Sequence, residues 1–344
     1  MLSEDFVMAK RNGFLDVLRG MAILIVIFAH ALQIHLANPY DNTPWLCIMT
    51  FEMPLLMAIS GYTFGLKIPK KENIKSEIVK KVKRLLIPYL CWEQIYYFIT
   101  VFYYKEKYSF KNQVASVFNS QFWFLRILFF IFIAVYLFLP AYYGIAGKIK
   151  NDSKRKLLFI GLAAVTAAIC AAVSEFVPGF DSLKSYMACF ALGVFINNII
   201  HRYHIKNSLI ICAGGISLPI FAAECVVLKH TSGVLNAVTD KIMAVFGSAA
   251  AAFIAFCLYY ALKKFNSKRI YNFIAFTGKS TLPIYAVHWC LLITFLPLKP
   301  LQNNVYCSAF VLAAIWTLIC VCLTYILRKN KLTAMLLLGE KSTC

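Results

Sequence analysis

Residues 15–37 read LDVLRGMAILIVIFAHALQIHLA, a run in which the only ionisable side chains are Asp16, Arg19, His30 and His35. A helix of roughly 18 or more mostly apolar residues is long enough to cross the ~30 Å hydrocarbon layer of a membrane. This stretch therefore predicts a membrane-spanning helix, and we searched the rest of the chain for stretches of similar length and composition.

The same pattern recurs along the chain. Of its 344 residues, 61% are hydrophobic and only 15% are charged, with a mean hydropathy of +0.70. Soluble domains are nearer half apolar and a quarter charged, so this much apolar surface indicates a bilayer. We predict an all-α, polytopic membrane helical bundle with about ten transmembrane helices. The predicted spans are residues 15–37, 45–66, 85–104, 121–143, 157–177, 183–200, 208–229, 239–262, 280–297 and 304–327.

The net charge of +20 raises the question of a nucleic-acid partner. The distribution of the basic residues along the chain is instead explained by membrane topology. Of the 35 lysines and arginines, 26 fall in alternate loops on one side of the predicted membrane, seven fall on the other side, and Arg19 and Arg126 lie within helices. This is the positive-inside pattern. We predict a multi-pass protein of the cell (cytoplasmic) membrane with both termini in the cytoplasm, a lipid bilayer as partner and no nucleic acid.

The predicted domain organisation is simple. A cytoplasmic segment 1–14 precedes a membrane domain 15–327, and a cytoplasmic tail 328–344 follows it. In the loop 67–83, isoleucine and valine recur at helical spacing among lysines, which fits either an amphipathic surface helix or a solvated connector. The outer loop 105–120 has too few apolar residues to fold alone. The 12 cysteines are scattered without metal-ligand spacing, so we expect no metal and no redox cofactor.

Arg19 and His30 lie on one face of the first predicted helix. The 11 residues between them correspond to about 1100° of rotation, which leaves them only about 20° apart in direction and about 16 Å apart along the axis. Asp16, three residues before Arg19, is placed to pair with it. This arrangement, a cation at one end of the helix and an imidazole deeper in it, predicts a polar path through the membrane. The alternative is that Arg19 reaches lipid headgroups and His30 forms a hydrogen bond with a neighbouring backbone.

Glu52, Arg126 and His288 are among the further ionisable residues inside predicted helices, and Glu93, Glu175 and Glu224 lie nearer helix ends. Imidazole removes protons from hydroxyl groups near neutral pH, and arginine binds phosphate. Together they suit the transfer of a group from a phosphorylated cytoplasmic donor to an alcohol. A transporter of a small anionic or sugar substrate needs the same polar interior, so the residues alone leave both classes open.

Six stretches of the chain resemble, in order, the motifs of the membrane acyltransferase-3 family. They are residues 15–30 (an arginine, ten residues and a histidine), 51–62 (ending in Ser-Gly-Tyr), 83–89 (KRLLIPY), 122–125 (FWFL), 190–193 (FALG) and 278–288 (GKSTLPIYAVH). The second stretch has less phenylalanine than the family often has, and the third lacks a second arginine at close spacing.

The resemblance implies an O-acetyltransferase that carries an acyl group, usually acetyl from acetyl-CoA, to a hydroxyl of a surface glycan or lipid-linked sugar. It marks Arg19 and His30 as critical. Acetyl-CoA is then a co-substrate and no cofactor is expected, whereas homo-oligomerisation is possible.

On this basis His30 is predicted to be the general base or a transient acyl carrier. Arg19, Lys83 and Arg84 are predicted to bind the phosphates of CoA. The candidates for binding the acceptor or stabilising the oxyanion are Glu52, Arg126, Tyr285 and His288. Glu52 is also a candidate for setting the tautomer of His30.

Overall fold

A computed structural model of the protein describes residues 13–105, 107–203, 207–228, 233–295 and 304–340. Within these ranges the regular secondary structure is helical and no strand occurs, which confirms the predicted all-α class. The predicted cytoplasmic segment 1–14 lies almost wholly outside the described residues, as do residues 296–303 and 341–344. The three-part domain organisation stays a prediction.

Fourteen α-helices are found in the described residues. They are α1 Gly13–His35, α2 Thr43–Leu66, α3 Ile74–Lys81, α4 Ile87–Tyr104, α5 Phe110–Phe118, α6 Trp123–Ala146, α7 Asp152–Phe176, α8 Leu183–Tyr203, α9 Asn207–Leu228, α10 Gly233–Lys264, α11 Lys268–Lys279, α12 Thr281–Phe295, α13 Val305–Lys329 and α14 Lys331–Leu337. Short 3₁₀ helices lie at Pro39–Asp41 and Lys71–Asn73, and a π-helical turn lies at Val82–Leu86.

Nine helices in the described part of the chain are long and apolar enough to cross a membrane, which makes the chain a polytopic helical membrane protein. They correspond to nine of the ten predicted spans. The remaining predicted span, 280–297, coincides with α12, whose 15 residues are too few for this criterion. The far end of that predicted span lies outside the described residues. The orientation of the termini stays a prediction.

Four α-helices lie in stretches that we predicted as loops or as a tail. The amphipathic pattern in 67–83 does form a helix, α3, and it runs through the π-helical turn into α4 without a break. In contrast, α5, α11 and α14 were not predicted. The first of these begins at Ser109, whose hydroxyl accepts from the Asn112 amide at 3.4 Å, and it packs on α4 through a hydrogen bond from the Tyr97 hydroxyl to the Ser109 carbonyl at 2.9 Å.

The chain divides into two compact units. Unit 1 contains Met1–Ile59 and Ile199–Val321, and unit 2 contains Ser60–Asn198 and Cys322–Cys344. In unit 1, α11 packs along α1 and α10 packs along α9, with α12 also against α1. In unit 2, α6 packs against α3 and α7, and α14 packs against α4.

Candidate active site

The N-terminal half of α1 carries Arg19 beside a buried carboxylate. Nη1 of Arg19 lies 3.9 Å from Oδ1 of Asp16, and the Arg19 side chain keeps 27% of its surface exposed while that of Asp16 keeps 5%. The predicted pairing between these residues is therefore found. Asp16 pairs with the guanidinium, and the exposed part of the Arg19 side chain is accessible to an anion.

Two glycines bring α1 and α11 into backbone contact around this arginine. A Cβ atom at Gly278 would overlap the carbonyl oxygen of Asp16 and lie 2.9 Å from the amide nitrogen of Gly20. A Cβ at Gly20 would likewise overlap the carbonyl oxygen of Ile274 and lie 2.9 Å from the hydroxyl of Thr277. Small residues allow helices to approach this closely. The position of Arg19 is thus fixed by a helix that sequence reasoning placed in a loop.

Tyr271, also on α11, covers the start of α1. A Cβ at Gly13 would overlap its hydroxyl oxygen, so the phenol lies directly against the first turn of α1. Burial, with smaller contributions from Tyr259 and Asp16, raises the pKa of Tyr271. The phenol therefore stays protonated at neutral pH and packs as a neutral group beside Asp16.

His30 lies deeper in α1, with 5% of its surface exposed. Its Nδ1 lies 3.2 Å from Oε1 of Gln33, one turn further along the helix. Because an amide oxygen only accepts, Nδ1 carries the proton and Nε2 keeps a lone pair. Sequence reasoning missed Gln33, although its spacing of three residues from His30 on one helix could have indicated it.

The rings of α12 pack against His30. The ring centroid of His288 lies 5.4 Å from that of His30, and the centroid of Trp289 lies 4.6 Å from it. Tyr285 lies 5.4 Å from His288, and both are fully buried. Of the predicted candidates, His288 is therefore brought to His30, and Tyr285 lies next to His288. Trp289 was missed, although it adjoins His288 in the sequence and carries a polar ring nitrogen.

Several polar atoms in this cluster are buried without a hydrogen-bond partner among the described residues. They are both ring nitrogens of His288 and Nε1 of Trp289. The His288 ring lies against the backbone of the preceding turn, at Ile284 and Tyr285, without good hydrogen-bond geometry there. An unpartnered buried polar group costs about 1–3 kcal/mol, so such groups gathered around one imidazole indicate a place for a polar ligand.

Glu52 is a further buried polar residue of unit 1. It is 1% exposed, and its Oε2 has no hydrogen-bond partner in the described part of the chain. Its helix α2 is joined to α1 by a hydrogen bond from Nε1 of Trp45 to the carbonyl of Ala29, at 3.1 Å. Gln33, and not Glu52, contacts Nδ1 of His30, so a role for Glu52 in the tautomer stays a prediction.

Lys83 and Arg84 belong to unit 2, where they lie on the π-helical turn Val82–Leu86. Both side chains are exposed. In the described ranges neither forms an ion pair, so both are available to an anion. Their predicted role in donor binding stays a prediction.

The guanidinium of Arg126, in unit 2, forms hydrogen bonds with backbone carbonyls of two separate segments. Nη1 donates to the carbonyls of Val117, at 3.0 Å, and Phe118, and Nη2 donates to the carbonyl of Gly179. The guanidinium also lies 5.2 Å from the ring of Phe180. It therefore ties the end of α5 to the turn before α8, and its predicted role toward the acceptor or an oxyanion stays a prediction.

Replacement of Arg126 by lysine should destabilise the protein. A lysine keeps the charge but cannot donate in a fork to carbonyls on two separate segments, so we expect a loss of about 2 kcal/mol. Thermal unfolding of the detergent-solubilised protein measures it. Arg155→Lys, on the exposed side of α7, is the matched control. Equal melting temperatures for the two variants would contradict this structural role.

A buried imidazole and a cation that share one face of a helix in a membrane bundle are the features we expect of a membrane acyltransferase. A family model described as an acyltransferase domain matches residues 12–326. The chain therefore belongs to the acyltransferase-3 family, and the predicted resemblance is confirmed.

Two curated relatives are named nodulation protein NolL. The one from Mesorhizobium japonicum is 24% identical over 301 residues, which is 81% of this chain and 76% of that protein. The one from Sinorhizobium fredii is 34% identical over 88 residues, which is 24% of each chain. This chain thus spans about a quarter of the latter protein's length and about three quarters of the former's. No solved structure matches the chain.

Proposed function

We propose that this membrane acyltransferase moves an acetyl group from cytoplasmic acetyl-CoA to a hydroxyl of a cell-surface glycan or lipid-linked sugar, with His30 as the central catalytic residue. The observation that carries the proposal is the state of His30. It is buried, its Nδ1 is satisfied by Gln33, and its Nε2 retains the lone pair that proton abstraction requires.

In the direct route, Nε2 of His30 takes the proton of the acceptor hydroxyl while the hydroxyl oxygen attacks the thioester carbonyl. The C–S bond then breaks, and the CoA thiolate takes the proton back from the imidazolium. In the alternative route, Nε2 itself attacks the thioester carbonyl and the C–S bond breaks, so that CoA leaves as its thiolate. The acceptor hydroxyl then attacks the acetyl-imidazolium, the N–C bond breaks to restore Nε2, and the hydroxyl proton passes to the thiolate. Both routes use the same nitrogen, and Gln33 keeps it unprotonated in the resting state.

The cluster around His30 supplies candidate groups for the oxyanion and the acceptor. A ring N–H of His288 and Nε1 of Trp289 have no partner in the described residues, so a substrate oxygen could accept from them without displacing an existing bond. Tyr285, packed against His288, is a candidate for positioning the acceptor. Glu52, whose Oε2 has no hydrogen-bond partner in the described residues, is a candidate to form a hydrogen bond with a hydroxyl of the sugar.

The donor would be bound through its phosphates. Arg19 lies on the same face of α1 as His30, about 16 Å along the helix axis. An extended pantetheine arm spans a comparable distance, so phosphates near Arg19 are compatible with a thioester near His30. Lys83 and Arg84 are proposed as further phosphate ligands, since both are exposed cations.

Purified protein in nanodiscs tests this function directly. With acetyl-CoA labelled in the acetyl group and a panel of glycan and lipid-linked sugar acceptors, label should appear in the acceptor as an ester. If the chain were instead a transporter, proteoliposomes would accumulate unmodified substrate and no acceptor would become labelled. That second result would refute the proposed function.

A further inference from the structure

Residues 330–340, which follow the last span, fold back onto unit 2. The side chain of Asn330 caps α14 by accepting from the amides of Leu332, at 2.8 Å, and Thr333, at 3.3 Å. At the other end of α14, Nε1 of Trp92 on α4 donates to the carbonyl of Leu337 at 2.7 Å. Ala334 is fully buried. The segment is therefore ordered by a cap, a cross-helix hydrogen bond and packing.

The segment ends against the π-helical turn that carries Lys83 and Arg84. Gly339 has φ +64°, and the amide of Glu340 donates back to the carbonyl of Ala334 at 3.0 Å, which closes the end of α14. A Cβ at Gly339 would lie 2.6 Å from Cα of Arg84 and 2.8 Å from the carbonyl oxygen of Lys83. Glycine is thus required here for two reasons, the left-handed backbone and the close approach.

An ion pair holds the segment in this place. Nε and Nη2 of Arg328, near the end of α13, donate to the two carboxylate oxygens of Glu340 at 2.6 and 3.0 Å. The two side chains are largely buried, with 14% and 22% of their surfaces exposed. Such a paired geometry is stronger and more directional than a single contact. Because Glu340 follows Gly339 directly, this ion pair helps to hold Gly339 against the π-helical turn.

The turn needs support because a π-helical turn is an unfavourable local conformation. It accommodates one extra residue, so a change to α-helical geometry would rotate α3 relative to α4 by about 100°. The preceding helix is held separately, since Nζ of Lys81 lies 3.4 Å from the ring centroid of Phe132. The side chains whose direction depends on the turn are Lys83 and Arg84, both exposed.

We propose that residues 330–340 are a positioning clamp, which holds the π-helical turn so that Lys83 and Arg84 face the phosphates of the acyl-CoA donor. This inference rests on the proposed function for the identity of the donor. The clamp residues act through the two cations and do not touch the donor themselves.

Gly339→Ala tests the clamp, with Gly161→Ala as its control. The control glycine lies in α7, and a Cβ there would meet no atom within 4 Å in the described structure. Loss of one charge-assisted phosphate contact should raise the KM for acetyl-CoA about tenfold for Gly339→Ala and leave kcat within about twofold. Gly161→Ala should match the wild type in both constants.

A double-mutant cycle shows whether the clamp acts through the cations. When Lys83→Ala and Arg84→Ala are already present, Gly339→Ala should raise KM no further. Glu340→Gln, which breaks the ion pair without adding bulk, should reproduce the rise in KM if Gly339→Ala fails to fold. An unchanged KM for both clamp variants would overturn the inference, as would additive effects in the cycle.

Hydrogen exchange separates failure of the clamp from failure of the proposed function. Amides of residues 82–86 should exchange faster in Gly339→Ala than in Gly161→Ala, whether or not the enzyme is active. Unchanged exchange there would overturn the clamp even if the wild type acetylates its acceptor. A wild type that transfers no acetyl group would refute the proposed function and the donor assignment, and the exchange measurement would still decide the structural contact.

Discussion

His30→Ala should lower kcat for acetyl transfer about 10²–10⁴-fold, the range that general acid–base catalysis by one positioned group contributes. Alanine removes the imidazole that Gln33 contacts and leaves the hydroxyl of the acceptor without its base. If the acetyl group travels through an acyl-histidine, the loss should be complete. Steady-state rates with labelled acetyl-CoA, on protein normalised by its amount in the membrane, measure the effect.

His35→Ala is the matched control for this variant. It lies on the same helix, one turn beyond His30, and its Nδ1 lies 2.8 Å from the carbonyl of Ala31. Its ring therefore interacts with the backbone of its own helix, and in the described residues no contact with the rings around His30 is found for it. We expect its rate to remain near that of the wild type. A well-folded His30→Ala protein with normal turnover would contradict the assigned role of His30.

Gly278→Val should cause the largest loss of stability among the variants considered. Its Cβ would overlap the carbonyl oxygen of Asp16, which is backbone and cannot rotate away, so α1 and α11 would have to separate. Overpacking of this kind costs about 3 kcal/mol. Because Asp16 and Arg19 move with α1, we also expect weaker donor binding in any protein that folds.

Thermal unfolding in detergent measures this effect against Gly161→Val. The control places the same side chain in a helix where a Cβ meets no atom within 4 Å in the described structure. Its melting temperature should therefore stay near that of the wild type. A melting temperature for Gly278→Val equal to that of Gly161→Val would show that the two backbones are not in contact.

The sequence predicted what depends on composition and on helical periodicity. Long apolar runs located nine spans that the described structure contains. Spacing along one helix predicted that Asp16 would approach Arg19, and it does, at 3.9 Å. Neither inference requires knowledge of a neighbouring helix. The bilayer imposes the first, and the fixed rise and rotation of an α-helix impose the second.

Contacts between segments that are distant in the chain could not be predicted from the sequence. Lysines and an arginine within 263–279 made that stretch resemble a loop, yet it contains α11, which fixes the helix carrying Arg19. Arg126 had the pattern of a cation facing a polar path. Its hydrogen-bond partners are backbone carbonyls of separate segments, and because every residue type has a backbone carbonyl, no sequence pattern marks them. The placement of Trp289 against His30 depends in the same way on packing between α1 and α12.

Acetyl transfer by this chain through His30 is tested in the cell by mass spectrometry of surface glycans from a strain that lacks this gene. The strain is complemented with the wild-type chain or with His30→Ala at equal membrane levels. We expect that only the wild type restores glycan species heavier by one acetyl group. Identical glycans in the deleted and complemented strains, or restoration by His30→Ala, would contradict it.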